Sequence, residues 1–164
     1  MLKLYLVQDD YIEYLRKFEH KVLDNKYSNR PYVGVVCVVN SINYYVPLAS
    51  PKPKHLTMKN TKDFHKIAQG KYGALNFNNM IPVVNSALIP LNISSERDIN
   101  YRYLLLNQYR ELIKIQQEIY KKAMQVYALF AGAAPLSVND AKIKARCCDF
   151  LLLEEKMLDY SPKK

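Results

Sequence analysis

The alternation of apolar and polar residues predicts that the chain begins with a β-strand. Leu2, Leu4 and Leu6 occupy every second position of residues 2–8, which is the spacing of a strand with one buried face. The two aspartates that follow, at positions 9 and 10, can accept hydrogen bonds from the free N–H groups at the start of a helix. Apolar residues then recur at helical spacing, so we predict a helix that runs to about residue 23.

A nearly continuous run of β-branched residues predicts a central hairpin. Residues 32–39 contain five valines and have the composition of a strand buried on both faces. The Asn40-Ser41 pair can turn the chain into a second strand over residues 42–48. The three shorter strand candidates that follow are residues 74–77, 80–84 and 87–93. Their spacing predicts an antiparallel meander or a small barrel.

Helical spacing replaces the strand pattern in the last third of the chain. Apolar residues recur at steps of four and three from residue 105 to residue 130, in a stripe broken only by Gln116, which predicts one long helix ending at Gly132. Ser137 or Asn139 can cap a second helix that runs to about residue 158. The sequence therefore predicts one α+β domain over residues 1–164, a compact antiparallel sheet or small barrel with an N-terminal helix and two C-terminal helices packed on it.

Composition narrows the class of protein. The chain has 164 residues, 49 % of them apolar, and its mean hydropathy of −0.24 is that of an ordinary globular domain. No apolar run is long enough to cross a bilayer, and the N-terminal segment turns acidic too early for a secretory signal. We therefore expect a cytoplasmic protein with no membrane partner. The three cysteines, Cys37, Cys147 and Cys148, are expected to be buried thiols rather than a disulfide framework or a zinc site.

The net charge of +9 is concentrated in the middle of the chain. Residues 25–95 carry eight basic residues and a single acidic one, Asp63, whereas residues 1–24 have a net charge of −1 and residues 96–164 of +3. A concentrated basic face indicates a polyanionic partner, and nucleic acid is the first candidate. A solvated basic surface and a docking surface for an acidic protein remain open as alternatives.

The residues able to do chemistry lie in a proline-stiffened segment directly after the second hairpin strand. Ser50, Lys52, Lys54 and His55 stand around prolines at positions 51 and 53, which restrict the backbone and present the loop. Phosphate-binding glycine loops and metal-binding histidine pairs are absent from the sequence, and one carboxylate in the basic segment cannot hold two metal ions. The segment instead suits RNA cleavage without a metal or cofactor, in which the substrate's own 2′-OH attacks the adjacent phosphorus.

Each of these side chains has a predicted role. Lys52 would stabilise the charge that develops on the phosphorane oxygens, and Ser50 would orient the scissile phosphate or the 2′-OH. His55 would transfer protons, and Lys54 would contact a neighbouring phosphate. The alternatives are that Ser50 caps the loop backbone and that His55, as a single histidine, is structural. Such a cleavage would leave a 2′,3′-cyclic phosphate end.

Tyrosines and lysines in the same segment predict a surface that binds single-stranded RNA. Bases of single-stranded RNA stack on aromatic rings that stand next to cations, although strand alternation turns about half of the tyrosines inward. The predicted RNA-binding residues are Lys26, Tyr27, Arg30, Lys54, Lys59, Lys62, Lys66, Lys71 and Tyr72. A module that binds RNA without cutting it is the alternative function.

Three segments of the sequence resemble the ToxN/AbiQ family, the endoribonuclease toxins of type III toxin–antitoxin and phage abortive-infection systems. They are residues 30–35, 45–55 and 79–83, and the Pro-Leu-Ala-Ser-Pro-Lys stretch at 47–52 is the most specific part. The resemblance implies a fold similar to that of the Kid/MazF toxins and metal-independent cleavage of RNA, with messenger RNA as substrate. It also implies inhibition by an RNA pseudoknot, which the toxin cuts from a repeat precursor and holds in a closed ring of alternating protein and RNA.

The resemblance also implies roles for individual residues. The family's active-site serine and lysine correspond to Ser50 and Lys52. The preceding position is often a hydroxyl residue in the family and is Ala49 here, so any role of that hydroxyl is lost or moved. A family tyrosine that precedes the central strands corresponds to Tyr32, which we predict to be catalytic, with Tyr27 as the alternative.

Overall fold

A seven-stranded antiparallel sheet forms the centre of the protein, whose structure is a computed structural model that describes residues 1–163. The strands are β1 (Lys3–Val7), β2 (Tyr32–Val39), β3 (Ile42–Ala49), β4 (Phe64–Lys66), β5 (Ala74–Asn76), β6 (Ile81–Pro82) and β7 (Leu88–Pro90). Their order across the sheet is β4-β5-β3-β2-β1-β7, and β6 pairs with β3. Because β4 and β7 lie at opposite edges, the sheet is open.

The predicted hairpin is confirmed and forms the middle of the sheet. β2 and β3 pair from Tyr32 opposite Pro47 to Val39 opposite Ile42. The two turn residues at positions 40 and 41 both have a left-handed backbone, with φ of 49° and 65°, as a tight two-residue hairpin turn requires. β3 ends at Ala49, so the proline-stiffened segment begins directly at this end of the sheet.

The predicted small barrel and meander are wrong. β7 pairs with β1, and β6 pairs with β3, so neither strand pairs with its nearest neighbour in sequence. β4 is a strand that the sequence did not indicate, because three residues, Phe-His-Lys, are too few to show an alternation. The implied similarity to the Kid/MazF toxins stays a prediction.

Residues 1–163 form six α-helices in addition to the sheet. They are α1 (Asp9–Arg16), α2 (Pro53–Thr57), α3 (Ile99–Lys114), α4 (Gln116–Ala131), α5 (Val138–Arg146) and α6 (Phe150–Asp159). α1 begins where predicted but is shorter, because the chain turns away after Arg16. Within residues 1–163, none of the helices is both long and apolar enough to cross a membrane.

The two predicted C-terminal helices are in fact four. The long helix is interrupted at Ile115, whose φ of −108° and ψ of 15° separate α3 from α4. Ser137 caps α5 as predicted, by accepting a hydrogen bond from the Asp140 N–H at 3.1 Å. The second helix then breaks at Cys147, and Asp149 caps α6 through the Leu152 N–H at 3.0 Å.

Helices α4 and α6 are fastened to the sheet by buried hydroxyls. The Glu154 carboxylate accepts hydrogen bonds from the hydroxyls of Tyr44 on β3, at 2.7 Å, and Tyr127 on α4, at 2.8 Å. The three cysteines are free and buried, as predicted. Burial raises the pKa of the Cys147 and Cys148 thiols to about 12, so both stay protonated and act as small apolar groups.

Candidate active site

The segment after β3 presents two of the predicted catalytic side chains to solvent. Ser50 and Lys52 are both exposed, and the Lys52 backbone is extended, with φ of −134° and ψ of 150°. Pro53 then occupies the first turn of the five-residue helix α2, a position where the missing proline N–H costs nothing. The prolines thus fix the exit from β3 and keep the serine hydroxyl and the lysine ammonium at the surface.

His55 holds the Lys52 backbone from both sides. The His55 N–H donates to the Lys52 carbonyl at 2.9 Å, and the Lys52 N–H donates to His55 Nδ1 at 3.2 Å. His55 is only 2 % exposed. Burial, with the neighbouring ammonium groups of Lys54 and Lys52, lowers the pKa of His55 below its ordinary value of 6.5. The imidazole is therefore neutral near pH 7, which Nδ1 needs in order to accept the bond.

The turn between β4 and β5 contacts residues 49–55, the stretch with the predicted catalytic side chains (the catalytic segment). Gly70 and Gly73 have φ of +95° and +93°, conformations that side chains rarely adopt. A Cβ atom at Gly70 would overlap the His55 carbonyl oxygen, and one at Gly73 would overlap the Ala49 carbonyl oxygen. The two glycines therefore let the turn contact both ends of residues 49–55.

A second loop, residues 24–30, lies on the other side of the segment. The Leu48 N–H donates to the Pro31 carbonyl at 2.9 Å, which places the end of this loop beside the end of β3. The Asn25 carbonyl closes the loop by accepting hydrogen bonds from the Asn29 and Arg30 N–H groups. Residues 26–28 of the loop have left-handed backbones, with φ of 48°, 55° and 62°. Tyr27, at its tip, is 95 % exposed. A fully exposed tyrosine on a tightly turned loop is available for stacking on a base.

Two predicted site residues of this region are buried. Tyr32 is 0 % exposed, and its hydroxyl has no hydrogen-bond partner among residues 1–163. Burial raises the pKa of the Tyr32 hydroxyl, so it is a poor proton donor in this conformation. Arg30 is mostly buried, and its Nε donates to the Asp24 carbonyl at 2.8 Å. Of the two tyrosines considered for the family position, Tyr27 is thus the one that a ligand can reach.

The other predicted RNA-binding lysines do not all lie beside the segment that follows β3. Lys54 is exposed on α2. Ala74 on β5 pairs with Ala49 on β3 and with Lys66 on β4, so Lys66 lies two strands across the sheet from Ala49. Lys62 instead pairs with Asp140 at 2.7 Å and lines a separate cleft of about 470 Å³ beside α5. The exposed residues Lys26 and Lys59 make no ion pair within residues 1–163.

The single acidic residue of the basic segment is structural. Asp63 accepts two hydrogen bonds from the Arg146 guanidinium, at 2.6 and 2.7 Å, and one from the Thr61 hydroxyl at 2.9 Å. Although burial opposes ionisation, the Arg146 guanidinium lowers the pKa of Asp63 below its ordinary value. The pair ties the start of β4 to α5. The expectation that cleavage needs no metal or cofactor stays a prediction.

Helix α3 lines a groove with residues that were not among the predicted site residues. Asn107, Arg110 and Lys114 line one groove with Tyr72, which lies between the two glycines of the β4–β5 turn. These three polar residues are spaced three and four apart and so share one helix face, a signal that the sequence did contain.

The arrangement joins the exposed Ser50 hydroxyl and Lys52 ammonium with one exposed ring, Tyr27, and one half-buried ring, Tyr72. Ser50 can donate a hydrogen bond to a phosphate oxygen, and Lys52 can stabilise negative charge that develops on it. Tyr27 and Tyr72 stand on the two loops that flank the segment. A polynucleotide can be held by the aromatic rings and cleaved at a phosphate between them by the hydroxyl and the ammonium.

Comparison with known proteins decides the family. A family model described as toxin ToxN of the type III toxin–antitoxin system matches residues 3–158. The chain belongs to the ToxN/AbiQ family of type III toxin–antitoxin endoribonuclease toxins.

Relatives match over nearly the whole chain. The endoribonuclease ToxN of Bacillus thuringiensis subsp. kurstaki is 32 % identical over 98 % of this chain and 85 % of its own length. The endoribonuclease AbiQ of Lactococcus lactis subsp. lactis is 33 % identical over 99 % of this chain and 91 % of its own. A solved type III toxin, selectively inhibited by a non-coding RNA pseudoknot, has a TM-score of 0.87 at 32 % identity, with 99 % of both chains covered. The ToxN/AbiQ resemblance found in the sequence is thereby confirmed.

Proposed function

We propose that this family member cleaves RNA without a metal ion, by attack of the substrate's 2′-OH on the adjacent phosphorus. The observation that carries the proposal is the joint exposure of Ser50 and Lys52 on a segment that is fixed at both ends. The 2′-OH lies next to the phosphorus in RNA, so a site that aligns the two groups for in-line attack already supplies much of the rate acceleration. The products are a 2′,3′-cyclic phosphate and a free 5′-hydroxyl.

In this mechanism, Lys52 stabilises the phosphorane oxygens and Ser50 hydrogen-bonds the scissile phosphate. His55 is assigned as the residue that positions Lys52, since its imidazole is buried and its Nδ1 is already bonded to the Lys52 N–H. Tyr27 holds a base on one side of the cut. Tyr32 keeps its predicted catalytic role only if its ring becomes accessible when RNA binds.

The same basic surface is proposed to bind the antitoxin. The solved relative is inhibited by a non-coding RNA pseudoknot, and the solved AbiQ structure, with a TM-score of 0.82, is that of a lactococcal anti-phage endoribonuclease. We infer that the antitoxin of this protein is an RNA pseudoknot, which the toxin cuts from a repeat precursor. The pseudoknot would occupy the same surface on which cytoplasmic messenger RNA is cut. Alternating toxin and RNA would then close into a ring.

The direct test is to incubate the purified protein with RNA in the presence of EDTA and to identify the product ends. We expect cleavage that leaves cyclic phosphate ends, which acid treatment opens to a 2′- or 3′-phosphate. Ser50→Ala removes one hydrogen bond to the phosphate and should lower the cleavage rate about a hundredfold. Thr57→Ala, which removes an exposed hydroxyl from the nearby helix α2, is the matched control. RNA that is bound but left intact by the wild type would favour the non-catalytic RNA-binding module instead.

The proposed role of His55 predicts a particular pH dependence. Because the pKa of His55 is lowered from 6.5, the neutral form persists below pH 6.5, and protonation at lower pH removes the acceptor at Nδ1. We expect the cleavage rate to fall as the pH drops through this lowered pKa, giving an acid limb below pH 6.5. Single-turnover rates measured from pH 4.5 to 8 would show it.

Two substitutions separate positioning from proton transfer. His55→Asn keeps an acceptor oxygen near the place of Nδ1 but does not titrate, so we expect most of the activity to remain and the acid limb to disappear. His55→Ala removes the acceptor, so kcat should fall about tenfold with little change in KM. Equal inactivity of both variants would mean that the imidazole itself transfers protons.

A further inference from the structure

The structure assigns a nucleotide-binding subsite to the groove between α3 and the β4–β5 turn, residues 67–73. We propose that this groove binds the nucleotide next to the scissile bond, with its base against Tyr72, its phosphate on Arg110 and its base edge on Asn107. The inference rests on the proposed endoribonuclease function and adds a specificity-determining element that lies outside the catalytic segment.

The groove is large enough for one nucleotide and has suitable walls. Its volume is about 520 Å³, and its lining residues are Tyr72, Asn107, Tyr109, Arg110, Glu111, Ile113 and Lys114. The Glu111 carboxylate is already paired with Lys114 at 2.6 Å. Arg110 is exposed and has no salt-bridge partner in the part of the chain that the structure describes. The groove therefore offers a guanidinium that is free to bind a phosphate.

Hydrogen bonds hold the backbone of Tyr72 in place, and its half-buried ring packs against the core. The Gln108 side chain, which is 2 % exposed, donates from Nε2 to the Tyr72 carbonyl at 2.9 Å and so ties the turn to α3. The Tyr72 N–H also donates to the Ile67 carbonyl at 3.2 Å. The Lys71 ammonium lies 5.3 Å from the centroid of the Tyr72 ring. A fixed ring next to cations costs little entropy when a base stacks on it.

Tyr72 lines the groove, and the turn that carries it also contacts the catalytic segment. Tyr72 lies between Gly70, which contacts the His55 carbonyl, and Gly73, which contacts the Ala49 carbonyl. Tyr72 is directly adjacent to Gly73 and is separated from Gly70 by one residue, so the backbone on both sides of its ring contacts the segment. RNA whose scissile phosphate lies at Ser50 and Lys52 can continue directly over this turn into the groove.

The chemistry of the groove favours RNA over an acidic protein. An acidic peptide would use Arg110 but would have no use for a fixed aromatic face beside an amide. Single-stranded RNA uses all three groups, because each nucleotide brings a phosphate, a flat base and hydrogen-bonding groups at the base edge. Asn107 is half-buried on the α3 face that the groove exposes, where its amide can distinguish one base edge from another.

The test measures RNA binding separately from cleavage. A 12-nucleotide RNA with a 2′-deoxy sugar at the scissile position cannot be cut and reports affinity alone. We expect Tyr72→Leu to weaken its binding on the order of tenfold and Tyr72→Phe to leave the affinity near that of the wild type, because phenylalanine keeps the stacking face. Arg110→Ala should weaken binding for every sequence, and its matched control Lys121→Ala, an exposed lysine of α4, should not.

Cleavage of a random RNA pool then tests specificity. Sequencing of the products should show that Asn107→Ala flattens the base preference at one position next to the cut and leaves the other positions unchanged. If Tyr72→Leu and Asn107→Ala bind and cut as the wild type does, or if an acidic polypeptide competes as well as RNA, the subsite is wrong. If the wild type binds the uncleavable RNA but cuts no RNA, the proposed function fails while the binding result on the groove still stands.

Discussion

Replacement of Lys52 by alanine is expected to lower the rate of RNA cleavage on the order of a thousandfold. The phosphorane oxygens gain negative charge in the transition state, and Lys52 is the exposed cation on the segment that presents Ser50. Its backbone is fixed by both hydrogen bonds to His55, so the point from which the lysine side chain extends is set before the substrate arrives. Single-turnover cleavage of an end-labelled RNA measures the effect, and circular dichroism verifies the fold.

Lys54 provides the matched control for this prediction. It carries the same charge two residues further along the same segment and is equally exposed, but it lies on α2 beyond the fixed turn. We expect Lys54→Ala to lower the rate by only about threefold, which is the loss of an exposed phosphate contact. Equal losses in the two variants would show that the segment attracts RNA by its overall charge and that Lys52 has no special role.

The parts of the fold that local pattern controls could be predicted. A β-branched run of eight residues and a two-residue turn are enough to specify the hairpin of β2 and β3, because register there follows from the turn. Strand pairing across longer distances leaves no such signal. β7 pairs with β1 across some eighty residues, and an apolar alternation shows only which face is buried and not which strand lies alongside.

The helix breaks could not be predicted for a related reason. The apolar stripe is interrupted only at Gln116 and resumes at Ile119, so the pattern favours one helix over the two separate helices α3 and α4. The break depends on tertiary packing, which overrides the weak local preference.

The candidate site could be predicted in part. Prolines on both sides of Lys52 indicated a presented loop, and Ser50 and Lys52 are indeed exposed. The sequence could not separate Tyr27 from Tyr32, since the difference lies in burial: the first is at the tip of a left-handed loop and the second is inside the sheet. Residue type indicates the chemistry that is available, whereas accessibility is set by the fold.

Replacement of Gly73 by alanine is expected to lower the free energy of unfolding by about 2–4 kcal/mol and to abolish most cleavage. Its φ of +93° is unfavourable for any side chain. A Cβ atom would also overlap the Ala49 carbonyl oxygen, which is backbone and cannot rotate away. The end of β3 must therefore move, and Ser50 moves with it. Urea denaturation gives the loss of stability, and single-turnover cleavage gives the loss of activity.

The control lies in the same turn. Gln69 also has a positive φ, 57°, but is exposed, so Gln69→Gly should change the stability by less than about 0.5 kcal/mol and leave cleavage intact. If Gly73→Ala remained as stable and active as the wild type, the β4–β5 turn would not support the catalytic segment. If it lost stability but cut RNA at the normal rate, the position of Ser50 would not depend on the contact at Ala49. The combined loss is expected because one backbone contact both completes the sheet and fixes the exit of the catalytic segment.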